Sequence, residues 1–301
     1  MNKIPVGQVI SRAYAFTLGE IGTVIGLIWI PTVLVVVGSF LVQHMNAGQP
    51  MPDPAGPPQM PPNFGFSLLF AVVSLLLSAM IAVALTRQAL GLRQGPAFAH
   101  VALGSEEFRV FGAFAILYLL IFLFALGIGI VAGIGSVTLT MIMPGHTGAA
   151  ASGAIIVVAA LAGICALIYT AVRLSFLMVP AAVNEGEFGL TRSWQLTQGN
   201  FWRIVGIACG TLLPIGIVLL IAESVILGPG YFALADQMVR DPSQTAKYLA
   251  QLQDMIVQKS PLLFGLGLLF APLTNGLVFT PAAFAYQMVS GKVIVASKNV
   301  E

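Results

Sequence analysis

NEGEFGLTRSWQLTQGNFWR, residues 184–203, gathers two Glu, two Arg, two Gln, two Asn and two Trp in a chain of which only 8% is charged. Apolar runs flank it on both sides, so it marks a point where the chain leaves a hydrophobic layer and returns to it. Composition identifies that layer. The chain is 58% hydrophobic with a mean hydropathy of +0.95, whereas soluble domains are roughly 45–50% apolar and about 25% charged. A bilayer core of about 30 Å accepts helices of roughly 20 apolar residues, because a helix satisfies its own backbone polar groups. The sequence therefore implies an all-α, polytopic membrane helix bundle forming a single integral membrane domain.

Working outward from the island, six stretches are long and apolar enough to cross: about 21–42, 66–89, 110–136, 151–179, 201–227 and 262–289. The fourth stays apolar past Arg173 as far as Val183, which implies a tilted span or one that projects beyond the bilayer. No cleavage pattern follows the first span closely, so it is expected to stay in place. Ten of the thirteen Lys and Arg residues fall at the N-terminus, in the loops 87–109 and 173–203, and in the tail. The positive-inside rule then makes both termini cytoplasmic and turns the island toward the cytoplasm.

Leu190, Trp194, Thr197 and Phe201 recur at helical spacing, which predicts a short interfacial helix with its aromatic face down. Gly199 suits the left-handed turn that ends it, and Asn200 is placed to cap the next helix. Phe201, Trp202 and Arg203 then belong at headgroup depth. SRAYAFTLGEIGTVIG (11–26) aligns without gaps on TRSWQLTQGNFWRIVG (191–206), matching Arg12, Thr17, Gly19 and Gly26 with Arg192, Thr197, Gly199 and Gly206. A fainter copy at 100–112 completes a scheme of three units, each a surface helix followed by a pair of spans.

Two outer loops differ in kind. Residues 48–63 are proline-dense and exclude helix. Residues 230–260 read as short amphipathic helices outside the membrane. Cys165 and Cys209 lie inside apolar runs and are expected to be buried thiols. Small-residue pairs four apart, such as Gly206 with Gly210, mark close helix contacts.

The stretch RLSFLMVPAAVNEGEFGLTRSWQLTQGNFWRIVGI (173–207) resembles the signature region of a bacterial family named after the membrane domain of glycerophosphoryl diester phosphodiesterases. Arg173, Pro180, Glu185, Gly186, Arg192-Ser193-Trp194 and Gly199 to Arg203 carry the resemblance. It implies a multi-span helical fold and transfers no catalysis. A phosphodiesterase barrel would need a large soluble region with metal-holding histidines and carboxylates, and His44, His100 and His146 fall in three different loops.

Two constellations are candidate sites. Arg173, Glu185, Arg192, Trp194, Trp202 and Arg203 could form a basic pocket for an anionic headgroup or a partner, with Arg173 paired to Glu185 as the structural alternative. In the sixth span, Pro272, Asn275, Gly276 and Pro281 could open a broken helix into a transport path. The thioethers and imidazoles near Met60, Met141, Met143 and His146 match no tight metal spacing. No nucleophile with its base, phosphate loop or zinc pattern occurs, so no cofactor is expected. A net charge of +2 with dispersed basic residues argues against nucleic acid. The expected function is a non-catalytic, membrane-organising protein that engages lipids, a membrane-protein partner or a second copy of itself. The alternative is a transporter for an amphiphile.

Overall fold

The computed structural model describes residues 3–46, 60, 63–93, 103–142 and 146–290. Among them there are no strands, and the chain runs α1 (Val6–Gly19), α2 (Ile21–Asn46), α3 (Phe64–Ala89), α4 (Ser105–Ile142), α5 (His146–Ser175), α6 (Met178–Glu185), α7 (Leu190–Leu196), α8 (Phe201–Leu227), α9 (Pro229–Arg240) and α10 (Thr245–Val289). Six helices, α2, α3, α4, α5, α8 and α10, are long and apolar enough to cross a membrane. Neighbours in sequence pair as hairpins, α2 with α3, α4 with α5 and α8 with α10, and α10 packs back on α2 to close the bundle. The proline-dense 48–63 loop, apart from Met60 and Asn63, lies outside the described residues, as do residues 94–102 and the basic tail.

The core gathers at the end of the bundle that carries α1, α6 and α7. One cluster joins Ala79, Ala82 and Val83 of α3, Val110 and Ala113 of α4, and Met178 and Ala182 of α6. A second joins Ile4, Val9, Ala181, Ile204, Ile207 and Tyr286, drawing α1, α6, α8 and α10 together. At the opposite end α4 and α5 turn large side chains outward, including Phe122, Leu123, Ile134 and Val158. In a bilayer such surface faces acyl chains and costs nothing. Cys165 and Cys209 are on exposed surface of this kind, a correction to the expected buried thiols.

Three other sequence expectations change. The fourth apolar run is not one continuous helix; it breaks after Ser175, and Met178 through Val183 of α6 are buried. The sixth span is not broken at all, because Thr245–Val289 is one helix of 45 residues, about 68 Å long. The second half of the expected outer loop is therefore its extension, with α9 packed against it. Hydroxyls help the helix tolerate its prolines: Pro261 leaves the Val257 carbonyl without an amide, and Ser260 Oγ donates to it at 2.7 Å.

α1 lies against α8 and α10, in contact with the pair of spans that closes the ring. Its register depends on a second proline. Pro214 removes the amide that would bond the Gly210 carbonyl, and Tyr14 Oη donates to the carbonyls of Gly210 and Thr211 at 3.3 and 3.2 Å. Close approach there requires glycine, since a β-carbon on Gly210 would meet Ile10 Cδ1 at 2.5 Å. Tyr14→Phe should therefore lower stability by about 1 kcal/mol. In a Pro214→Ala background, where the backbone amide returns, the same change should cost markedly less; equal losses in both backgrounds would refute the assignment.

Candidate functional site

The island is organised by three left-handed glycines, Gly186, Gly189 and Gly199, with φ of 78°, 75° and 74°. Between the second and third, α7 packs on α5 and α6. The row it turns inward is not the aromatic one. Ser193 and Thr197 are fully buried and Asn200 nearly so, while Trp194 stays partly exposed at the edge.

Those small polar groups have specific work. In an unbroken helix Leu177 N–H would bond the Arg173 carbonyl, four residues earlier. Instead Leu177 N–H donates to Ser193 Oγ at 3.1 Å, and Ser193 Oγ donates onward to the Arg173 carbonyl at 2.8 Å. A hydroxyl is thus inserted into the ladder, a recognised cause of sharp kinks. Pro180 contributes by leaving the Phe176 carbonyl without its helical donor. Thr197 Oγ1 also donates to the Arg173 carbonyl, at 3.2 Å. Asn200 caps nothing in α8; its Oδ1 accepts from Ile4 N–H at 3.1 Å and ties the N-terminal segment down.

The predicted site residues divide into separate groups. Arg173 does not pair with Glu185. Its Nη2 donates to the Trp194 carbonyl at 2.7 Å and its Nη1 to Tyr169 Oη at 3.0 Å, with the guanidinium 3.8 Å from the Trp194 ring centroid. A buried cation stacked on tryptophan and bonded to a carbonyl at the end of α7 is a structural pin. Glu185 instead accepts from Arg192 Nε at 3.0 Å and from Tyr286 Oη at 2.7 Å, while Asn184 Nδ2 donates to the same tyrosine oxygen at 3.0 Å. That cluster fastens the end of α6 to α7 and α10. Arg203 Nη1 donates to the Ile4 carbonyl at 2.8 Å, and Trp202 is 80% exposed against Phe201.

A pocket of about 530 Å³ opens beside this network, lined by Arg109 and Ile116 of α4 and by the segment from Gly186 to Arg192. It brings Arg192 together with Arg109, which sequence reasoning placed only in a faint repeat. Arg109 Nη1 lies 2.9 Å from where a β-carbon on Gly186 would stand, so the left-handed turn also makes room for the guanidinium. Glu187 lines the same pocket. Arg173, Trp202 and Arg203 do not.

At the other end of the bundle, a cavity of about 320 Å³ reaches Asn275 from between α2, α3, α8 and α10. Of the other predicted transport residues, Gly276 is taken up by packing, because a β-carbon there would meet Thr17 Cγ2 at 2.4 Å. Pro281 is buried, and Pro272 lies inside a helix that stays continuous. Among the described residues no three His, Cys, Asp or Glu side chains converge as metal ligands. No protein-family model matches the chain, and no curated protein or solved structure matches it.

Proposed function

We propose that this chain is a non-catalytic, multi-pass protein of the bacterial inner membrane, with both termini cytoplasmic, whose surface-helix end binds anionic lipid headgroups and organises lipids or a partner around it. The carrying observation is the pocket with Arg109 and Arg192 on its wall, at the end of the bundle where the short helices gather. Arg192 is already neutralised in part by Glu185, so Arg109 supplies the charge that a phosphate would meet, with backbone amides of the 186–189 turn beside it. The resemblance of residues 173–207 to a non-catalytic membrane domain fits the same reading.

The test is binding of short-chain phosphatidylglycerol and phosphatidylcholine to the purified chain in maltoside micelles. Phosphatidylglycerol should bind more tightly, and Arg109→Gln should weaken it about fivefold, the worth of one basic residue near a headgroup. Equal affinity for the two lipids would refute headgroup recognition. Orientation is tested separately in cells, with Cys165 and Cys209 replaced by alanine. A membrane-impermeant thiol reagent should label Ala55→Cys and spare Thr191→Cys; the opposite pattern would invert the assignment.

A second reading, a permeation path for an amphiphile, is favoured by the cavity that reaches Asn275. The unbroken α10 and the Thr17 side chain filling the space at Gly276 weigh against it. Flux across reconstituted vesicles separates the two readings.

A further inference from the structure

The cavity at Asn275 has a chemistry that the headgroup reading does not use. Its walls carry Glu223 from α8, Asn275 and Thr274 from α10, and Thr32 from α2, with Phe270 and Val36 among the apolar lining. Every one of these polar groups offers an oxygen. Asn275 commits its Nδ2 to the Ala271 carbonyl at 2.9 Å, which leaves its amide oxygen as the remaining function. Thr32 is 7% exposed, and its Oγ1 is buried without a hydrogen-bond partner. No Lys, Arg or His stands within ion-pair distance of Glu223 among the described residues.

Depth places the cavity in the half of the bundle away from α1 and α7. Asn275 is 14 residues from Val289, about 21 Å along the helix, and Glu223 lies 4 residues from the end of α8 at Leu227. Glu223, an exposed side chain about one turn from that end, is the one charged group on the cavity's wall and the charge that an entering cation would meet. The volume lies at the lower end of small-molecule pockets, about 300–1,000 Å³.

We propose that this cavity binds an amphiphilic organic cation, its ammonium group against Glu223 with the oxygens of Asn275 and Thr32 beside it, and its apolar body against Phe270 and Val36. A lining whose one charged group is a carboxylate disfavours an anion. The apolar walls and the aromatic ring favour an alkyl- or arylammonium over a hydrated metal ion. The same chemistry could arrive as a soluble amine or as the headgroup of an aminophospholipid. The proposal is independent of headgroup binding at Arg109 and of passage across the membrane.

The experiment is calorimetric titration of benzyltrimethylammonium into the full chain in maltoside micelles, which carry no ammonium of their own. Saturable binding is expected, with no saturable binding of the uncharged isostere neopentylbenzene. Glu223→Gln, nearly isosteric, should weaken the cation about tenfold or more, and Glu223→Asp should retain part of the affinity. Thr32→Val tests the second wall without touching charge and should weaken binding about threefold, the loss of one weak C–H···O contact from an N-methyl group of the cation. Added phosphatidylethanolamine that competes where phosphatidylglycerol does not would make the lipid amine the source; competition by neither would make it a soluble cation. Absence of saturable binding, equal binding by the isostere, or unchanged affinity in both Glu223→Gln and Thr32→Val would overturn the assignment.

Discussion

Gly189→Ala is expected to be among the most damaging single changes in the chain, although it adds one methyl group. Gly189 sits at φ 75° as the residue before α7, and a β-carbon there would lie 2.2 Å from the Met178 carbonyl oxygen and 3.0 Å from the Ala182 nitrogen. Both neighbours are backbone of the buried α6, which has no flexible end to swing away. Left-handed strain of about 1–3 kcal/mol adds to overpacking of about 1–3 kcal/mol, so a loss of about 3–5 kcal/mol is the working figure. Gly199→Ala is the internal control. Its φ of 74° carries the same strain, but nothing lies within 4 Å of the added carbon, and the cost should stay near the strain alone, about 1 kcal/mol. Thermal unfolding in detergent, followed by the fraction surviving as a monodisperse peak, separates the two. Matching midpoints for the two variants would show that the contact between α6 and α7 tolerates the methyl.

Arg173→Leu is expected to cost about 1.5–3 kcal/mol, the worth of hydrogen bonds given by a charged donor to partly buried acceptors. The guanidinium holds the Trp194 carbonyl, holds Tyr169 Oη and stacks on the Trp194 ring. Removing it leaves Tyr169 Oη without that donor and frees the indole to move. Arg173→Lys should recover only part of the loss, because an ammonium on a flexible stem cannot serve both acceptors and present a plane to the indole. Two readouts distinguish a pin from a ligand site. The unfolding midpoint and the Trp194 emission should change together, whereas phosphatidylglycerol affinity of the folded fraction should hold. A selective loss of lipid affinity with unchanged stability would instead return Arg173 to the binding pocket.

The contrast between Arg173 and Arg109 shows what residue order conveys and what it hides. Hydropathy locates all six long helices, because a span must be apolar along its whole length and little else in a sequence looks like that. The left-handed turn at Gly199 was equally legible, since glycine before asparagine and an apolar run is a local signal. The face of α7 was legible only in part. Leu190, Trp194, Thr197 and Phe201 read as one face turned to the bilayer; Thr197 is buried, but it is joined inside by Ser193 and not by Trp194, because a kink between α5 and α6 has backbone groups to satisfy. Pro180 signalled that kink locally, but the hydroxyl that completes it comes from another helix. Prolines in the sixth span misled in the opposite direction: the missing amides of Pro272 and Pro281 suggested a break, while the helix runs through both. Glu223 was visible as a lone carboxylate near a span's end; only the packing of four helices puts it in one cavity with Asn275 and Thr32.

Asn200 and Ile4 are joined by a hydrogen bond across 196 positions of chain, and Tyr14 reaches as far to Gly210. The N-terminal helix is made first and finds these partners only after most of the polypeptide has been synthesised. Until then its apolar row of Val9 and Ala13, together with Thr17, has no α8 or α10 to cover it. The pair α8 and α10, made after α1, is consequently what holds α1 in place.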